Sequence, residues 1–128
     1  MTRRRGRRRC RRPRGSCRSA DTSAVRGLPG GVHRLAAALG LRLGDANVLR
    51  NAGAIVTEDV VRSLRAAGSA LGVRRAVLMG HTDCAGHGGD DAAAAAALAE
   101  GARVLRGERF EVETVMYDVV SGTVTPVA

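Results

Sequence analysis

The sequence predicts an α/β domain, a mostly parallel β-sheet flanked by helices, and three observations carry that expectation. Short apolar runs alternate with stretches of helical periodicity in the order strand, helix, strand, helix, strand, which implies right-handed crossovers between parallel strands. The run Ala76-Val77-Leu78-Met79 is apolar at every position and lies between Arg75 and Gly80, as in a strand covered on both faces. Between the strands lie one amphipathic segment with a capping residue and one alanine run, both long enough for helices.

In chain order, structure is expected from His33. His33 to Leu39 is rich in Ala and Leu and stops at Gly40, as a short helix would. Gly44-Asp45 reads as a turn, and Asn47 to Asn51 as a short strand running into Ala52-Gly53. Thr57 is a suitable N-cap, because its hydroxyl accepts a hydrogen bond from a backbone N–H left open at the helix start. Glu58 and Asp59 then occupy the positive first turn. Val60, Val61, Leu64, Ala67 and Leu71 share one helical face, and Gly72 is placed to end the helix. The next helix runs from about Ala92 to Leu105, where six consecutive Ala supply propensity but few large core contacts. Phe110 to Val120 reads as the last long strand, Ser121-Gly122 as a turn, and Val124 to Val127 as a short tail strand.

Charge divides the chain in two. The 128 residues suit a single domain, and they contain 21 Arg, no Lys and 12 acidic residues. Ten Arg and no acid fall in the first twenty residues, so that stretch carries +10. From Asp21 to Ala128 there are 11 Arg against 12 acids, a net of −1. The high overall charge is therefore no evidence that the folded part binds nucleic acid. Residues 1–32 are expected to form an Arg-rich, disordered head, since Met1 to about Arg26 has too little apolar surface to offset its ordering entropy, and residues 33–128 to form the folded domain. Two readings of the head stay open. It is an electrostatic arm for nonspecific nucleic-acid binding, or an Arg-rich run produced by a frame shift or misplaced start in GC-rich coding sequence. With no aromatic side chain among its residues it offers no base-stacking platform.

Other classes are excluded or favoured by composition. No apolar run approaches the roughly 18 residues of a membrane-spanning helix. No apolar stretch follows the arginines as a secretory signal requires, and three Cys without a framework spacing suit a reducing compartment, so a cytoplasmic location is expected. One Phe, one Tyr and no Trp leave the core to Val, Leu, Ile, Ala and Met. So thin a core favours a homo-oligomer, a dimer or larger.

The chemistry concentrates after the buried run, in His81-Thr82-Asp83-Cys84-Ala85-Gly86-His87-Gly88-Gly89. In parallel sheets, ligands bind beyond the carboxyl ends of the strands, and this loop lies there. His81 and Cys84, three apart, offer imidazole nitrogen and thiolate sulfur, donors that zinc favours, and His87 adds a second imidazole at the next interval of three. A small buried Cys with no metal accounts for the same pattern, so both readings stand at this point.

Gly44-Asp45-Ala46-Asn47-Val48-Leu49-Arg50-Asn51-Ala52-Gly53, then Thr57-Glu58-Asp59-Val60-Val61-Arg62-Ser63-Leu64, then His81-Thr82-Asp83-Cys84, resemble the β-class carbonic anhydrases, in particular their small bacterial and mycobacterial-type branch. Val115-Met116-Tyr117-Asp118-Val119 with Ser121-Gly122 resembles the last strand and turn of that family. The resemblance implies a β-carbonic-anhydrase-like fold and reversible hydration of carbon dioxide to bicarbonate, by hydroxide formed from water on Zn2+. It implies zinc held by two Cys and one His, of which Cys84 and His81 are the second Cys and the His. It further implies a pocket wall shaped by Arg50, Asn51 and Gly53, although a strand-end turn accounts for Arg50 and Asn51 as well. Asp83 is read from its place in the loop as orienting it by local hydrogen bonds rather than acting as a base.

The chain departs from the family at its N-terminal side. There the family carries Cys-x-Asp-x-Arg, whose Cys is the first zinc ligand and whose Asp–Arg dyad keeps a position open for water. Counted back from Gly44, these residues fall at Leu28, Gly30 and Val32, none of which matches. The family's first core strand has no evident counterpart, and the segment between the metal loop and the last strand is short. The expectation is thus an N-terminally incomplete member, truncated or degenerate, with Cys17 or His87 as candidate third ligand and no catalytic dyad. A non-catalytic member acting as an interaction or dimerisation module is the alternative.

Overall fold

The computed structural model describes residues 19–23, 38–42 and 44–127. Among the described residues, five strands and two α-helices follow one another as β1 (Ser19–Ser23), β2 (Ala46–Leu49), α1 (Glu58–Leu71), β3 (Arg75–His81), α2 (Asp91–Gly107), β4 (Glu111–Tyr117) and β5 (Val124–Pro126). Two 3-10 turns, Ala52–Ala54 after β2 and Ala85–His87 after β3, occupy the ends of those strands. The sheet order is β2-β1-β3-β4-β5, with β2, β1, β3 and β4 parallel and β5 antiparallel to β4. The α/β expectation holds.

The head does not conform to expectation. Ser19–Ser23 lies inside the stretch expected to be disordered and ahead of the expected domain start at residue 33, yet it forms the strand between β2 and β3. Ala20 stands opposite Asn47 on one side and Ala76 on the other. A strand preceding β2 therefore exists, contrary to the expectation that the first core strand is missing. The physical reason is that an inner strand is held by backbone hydrogen bonds to both neighbours, which need no apolar side-chain pattern and leave no mark in composition. Cys10, Cys17, Leu28, Gly30, Val32 and residues 33–37 of the expected first helix lie outside the described residues.

The other elements follow their sequence signals, with shifted ends. Thr57 Oγ1 accepts from Val60 N at 3.5 Å, and Gly72 ends α1 in the left-handed conformation at φ 72°. β3 runs two residues beyond its apolar stretch, because Gly80 and His81 stay in register with Met116 and Tyr117. β4 stops at Tyr117 instead of Val120. The Asp118 carboxylate accepts from Val120 N at 2.8 Å and Ser121 N at 3.1 Å, which turns the chain before the strand can continue.

Crossing direction decides which face each helix covers. The connections β2 to β3 and β3 to β4 both advance the same way across the sheet, so right-handed crossovers put α1 and α2 on one face. The main core forms there, from Val60 and Leu64 of α1, Leu98, Ala102 and Leu105 of α2, and Ala76, Leu78 and Met116 of the sheet. On the opposite face Met79 and Tyr117 are buried with Leu39, Val115, Val119 and Val124 against them. Side chains alternate along a strand, so His81, two residues beyond Met79, belongs to this second face.

Candidate functional site

His81 is the last residue of β3 and is 2% exposed. Its Nδ1 lies 2.8 Å from the Thr82 carbonyl. A carbonyl oxygen only accepts, so Nδ1 carries the proton and donates. Nε2 is then the ring's lone-pair nitrogen, and it is buried with no hydrogen-bond partner among the described residues. That arrangement, one ring N–H fixed by a carbonyl and the other nitrogen left open, is how proteins orient a histidine toward a metal.

Thr82 ties the strand end to β4 and the turn after it through both its backbone and its side chain. Its N–H donates to the Tyr117 carbonyl at 2.9 Å, and its Oγ1 accepts from Val119 N at 3.0 Å. The chain then turns at Asp83, a non-glycine residue at φ +52°, a conformation Asp tolerates better than most. Asp83 is exposed, and its N–H donates to Asp91 Oδ1 at 2.8 Å. The loop is thus tied down locally, through the main chain of Asp83.

Cys84 is a free thiol, 4% exposed. Its carbonyl accepts the N–H groups of His87 and Gly89, both at 2.9 Å, which winds the following residues into a tight turn. His87 Nε2 lies 2.9 Å from the Gly53 carbonyl and, by the same reasoning, donates its proton there. Asn51 brackets the turn after β2, its Nδ2 donating to the Ile55 carbonyl and its Oδ1 accepting from Ile55 N at 3.1 Å. Asn51 is therefore a turn builder, Gly53 a buried backbone position at φ 78°, and Arg50 an exposed residue at the end of β2.

The fold brings His81 and Cys84 to one strand end, with the Asn51–Gly53 turn joined to their loop through His87. Among the described residues, no group of three or more His, Cys, Asp or Glu side chains is placed to hold one metal ion. Cys17, Gly30 and Val32 are outside the described residues. Sequence reasoning missed Thr82, whose carbonyl sets the His81 ring, because a main-chain contact has no residue-type signature. It also missed the bond between His87 and Gly53, 34 residues apart.

A family model described as carbonic anhydrase matches residues 34–104. The chain belongs to the β-carbonic anhydrase family. Beta-carbonic anhydrase 1 of Mycobacterium tuberculosis is 52% identical to it over 46 residues, which are 36% of this chain and 28% of that protein. A carbon disulfide hydrolase of Saccharolobus solfataricus is 45% identical over 47 residues, 37% of this chain and 23% of that protein. The β-carbonic anhydrase likeness extends further in structure: the crystal structure of carbonic anhydrase from Streptococcus mutans has a TM-score of 0.74 at 29% identity, covering 88% of this chain and 82% of that one. The stretch shared with the curated relatives is less than a third of their length.

Proposed function

We propose that this β-carbonic anhydrase family member carries part of a zinc site for reversible hydration of carbon dioxide to bicarbonate, with His81 Nε2 and Cys84 Sγ as two of its protein ligands. The observation that carries the reading is His81 Nε2, a buried lone pair with no partner among the described residues, three residues from a buried free thiol. Imidazole nitrogen and thiolate fit zinc in donor type. Zinc, when bound, supplies Lewis acidity that lowers the pKa of water into the neutral range. The chain's own part is to orient: the Thr82 carbonyl fixes the His81 ring, the turn from Cys84 to Gly89 fixes the Cys84 backbone, and burial of both keeps water scarce around them.

Two ligands fall short of the three that catalytic zinc sites ordinarily use. The third is proposed from a partner copy, since Ser19, two residues after Cys17, starts β1 at the end of the parallel sheet away from His81, and His87 Nε2 is engaged with Gly53, leaving only Nδ1 to act. Gly30 and Val32 carry neither carboxylate nor guanidinium, so this chain has no Asp–Arg pair at those positions to keep a coordination place open. Weak or absent hydratase activity is the consequence we infer, in a cytoplasmic, oligomeric protein. The family match starts at residue 34, after Ser19–Ser23, which already forms a strand of the sheet. The same observations favour a second reading, a non-catalytic member that works as a dimerisation module.

Elemental analysis of the purified protein decides between them. Near one zinc per chain, lost in Cys84→Ala, is the expected result and makes carbon dioxide hydration worth assaying. A well-folded oligomer without zinc would overturn the zinc reading in favour of the module.

A further inference from the structure

His87 lies at a spacing that suggests a ligand, but its contacts give it other work. Its ring reaches the Gly53 carbonyl through Nε2, while its own backbone N–H donates to the Cys84 carbonyl, both at 2.9 Å. The ring bond joins the 3-10 turn after β3 to the 3-10 turn after β2. Since β1 lies between β2 and β3 in the sheet, this link passes over the carboxyl end of β1.

We propose that His87 is a positioning residue, a clasp that closes the Cys84 turn onto the Gly53 turn and shields the Cys84 thiol. The receiving surface is shaped for it. Gly53 sits at φ +78°, and a Cβ there would stand 2.9 Å from His87 Nε2. A Cβ on Gly86 would stand 3.1 Å from the Gly53 nitrogen. Glycine at both positions thus lets the two turns approach backbone to backbone, with the imidazole filling the space beside them. The loop's ties through Thr82 to Val119 and through Asp83 to Asp91 lead toward β4 and α2, and among the described residues His87 to Gly53 is the side-chain hydrogen bond that leads toward β2. The 4% exposure of Cys84 is the expected outcome of a closed clasp. The proposal deepens the zinc reading, because the loop it holds carries Cys84, but the clasp itself needs no metal.

The test is alkylation of Cys84 by iodoacetamide in the full-length, chelator-treated protein, followed peptide by peptide in a mass spectrometer so that Cys10 and Cys17 are read separately. His87→Ala is expected to speed Cys84 labelling about tenfold, the scale of one lost hydrogen bond. His87→Gln, whose amide N–H reaches toward the same carbonyl, is expected to restore most of the protection. Gly53→Ala, which pushes the ring away from the other side, is expected to speed labelling with no further gain when combined with His87→Ala. Should His87→Ala unfold the chain, His87→Asn, too short to reach Gly53, replaces it. An unchanged rate in His87→Ala, or His87→Gln labelling as fast as His87→Ala at equal urea midpoints, overturns the clasp. So does a cobalt-loaded His87→Gln that loses the thiolate-to-cobalt absorption while Cys84 stays protected, since that marks His87 as a ligand. A chain that binds no metal but shows the labelling pattern retains the clasp and loses only the zinc reading.

Discussion

Gly101 shows how much of this fold turns on one missing methyl group. It lies buried in α2, and a Cβ there would stand 2.7 Å from Val56 Cγ2 and 3.1 Å from Leu78 Cδ1. Ala is the better helix former by about 1 kcal/mol, so propensity alone favours Gly101→Ala. Overpacking opposes it by about 1–3 kcal/mol and wins, because the neighbours are branched side chains inside a close-packed core. We expect Gly101→Ala to lower stability by about 1–2 kcal/mol in urea unfolding. Gly107→Ala, in the same helix with nothing within 4 Å, should be neutral or mildly stabilising. Equal effects of the two substitutions would disprove the packing account. Neither glycine stands out in the sequence, because the atoms that distinguish them come from other elements. His81 and Cys84 were legible from their types and spacing, whereas the unpartnered state of His81 Nε2 needed the Thr82 carbonyl in view.

Two element ends are decided by single carboxylates. Asp90 Oδ1 accepts from Ala92 N at 2.9 Å and Ala93 N at 3.0 Å, pairing two backbone groups that an uncapped α2 would leave open. Asp90→Ala is expected to cost about 1 kcal/mol, read as a lower urea midpoint, with Asp90→Asn closer to the parent chain. Asp118 does similar work after β4. The N–H groups of Ser121 and Val120, in that order of effect, hold its carboxyl below the usual carboxylate range. Hydrogen bonds from Arg65 lower Glu108 in the same direction. A carboxylate whose folded pKa is depressed contributes stability that is complete above its unfolded value, about 4, and fades as pH falls through the lower folded value. Through these carboxylates, urea midpoints should therefore decline as pH falls below about 4. Asp118→Asn keeps an acceptor oxygen without the titration, so it should flatten part of that decline. An unaltered acid slope in this variant would contradict the role given to Asp118. The strand and helix cores were legible from periodicity, but their ends were not, since Asp118 cuts β4 short with hydrogen bonds that alternation does not register.

At the scale of the whole molecule, the placement of β1 changes how the basic head can be tested. All ten Arg of the first twenty residues precede Ser19, where β1 begins. A chain starting at Ser19 should lose salt-sensitive binding to nucleic acid, measured by fluorescence anisotropy at rising ionic strength, while its far-ultraviolet circular dichroism stays unchanged. A chain starting after Arg26 also loses β1, so it should unfold, because β2 and β3 then have no strand between them to complete their hydrogen bonds. Binding that persists in the chain starting at Ser19 would assign it to the folded domain, against the net −1 charge from Asp21 onward.

Local and periodic features were determined by the sequence alone: the α/β class, the two helices, the apolar strand β3, the family, and the residues His81 and Cys84. Each depends on neighbours along the chain, through side-chain spacing, capping, or a run of adjacent residues. The tertiary structure alone decided that Ser19–Ser23 lies inside the sheet, that His81 keeps an open nitrogen, and that His87 meets Gly53. Those outcomes depend on backbone groups of distant segments. A main-chain N–H or C=O is nearly the same at every residue, so the sequence carries no mark of which ones will meet.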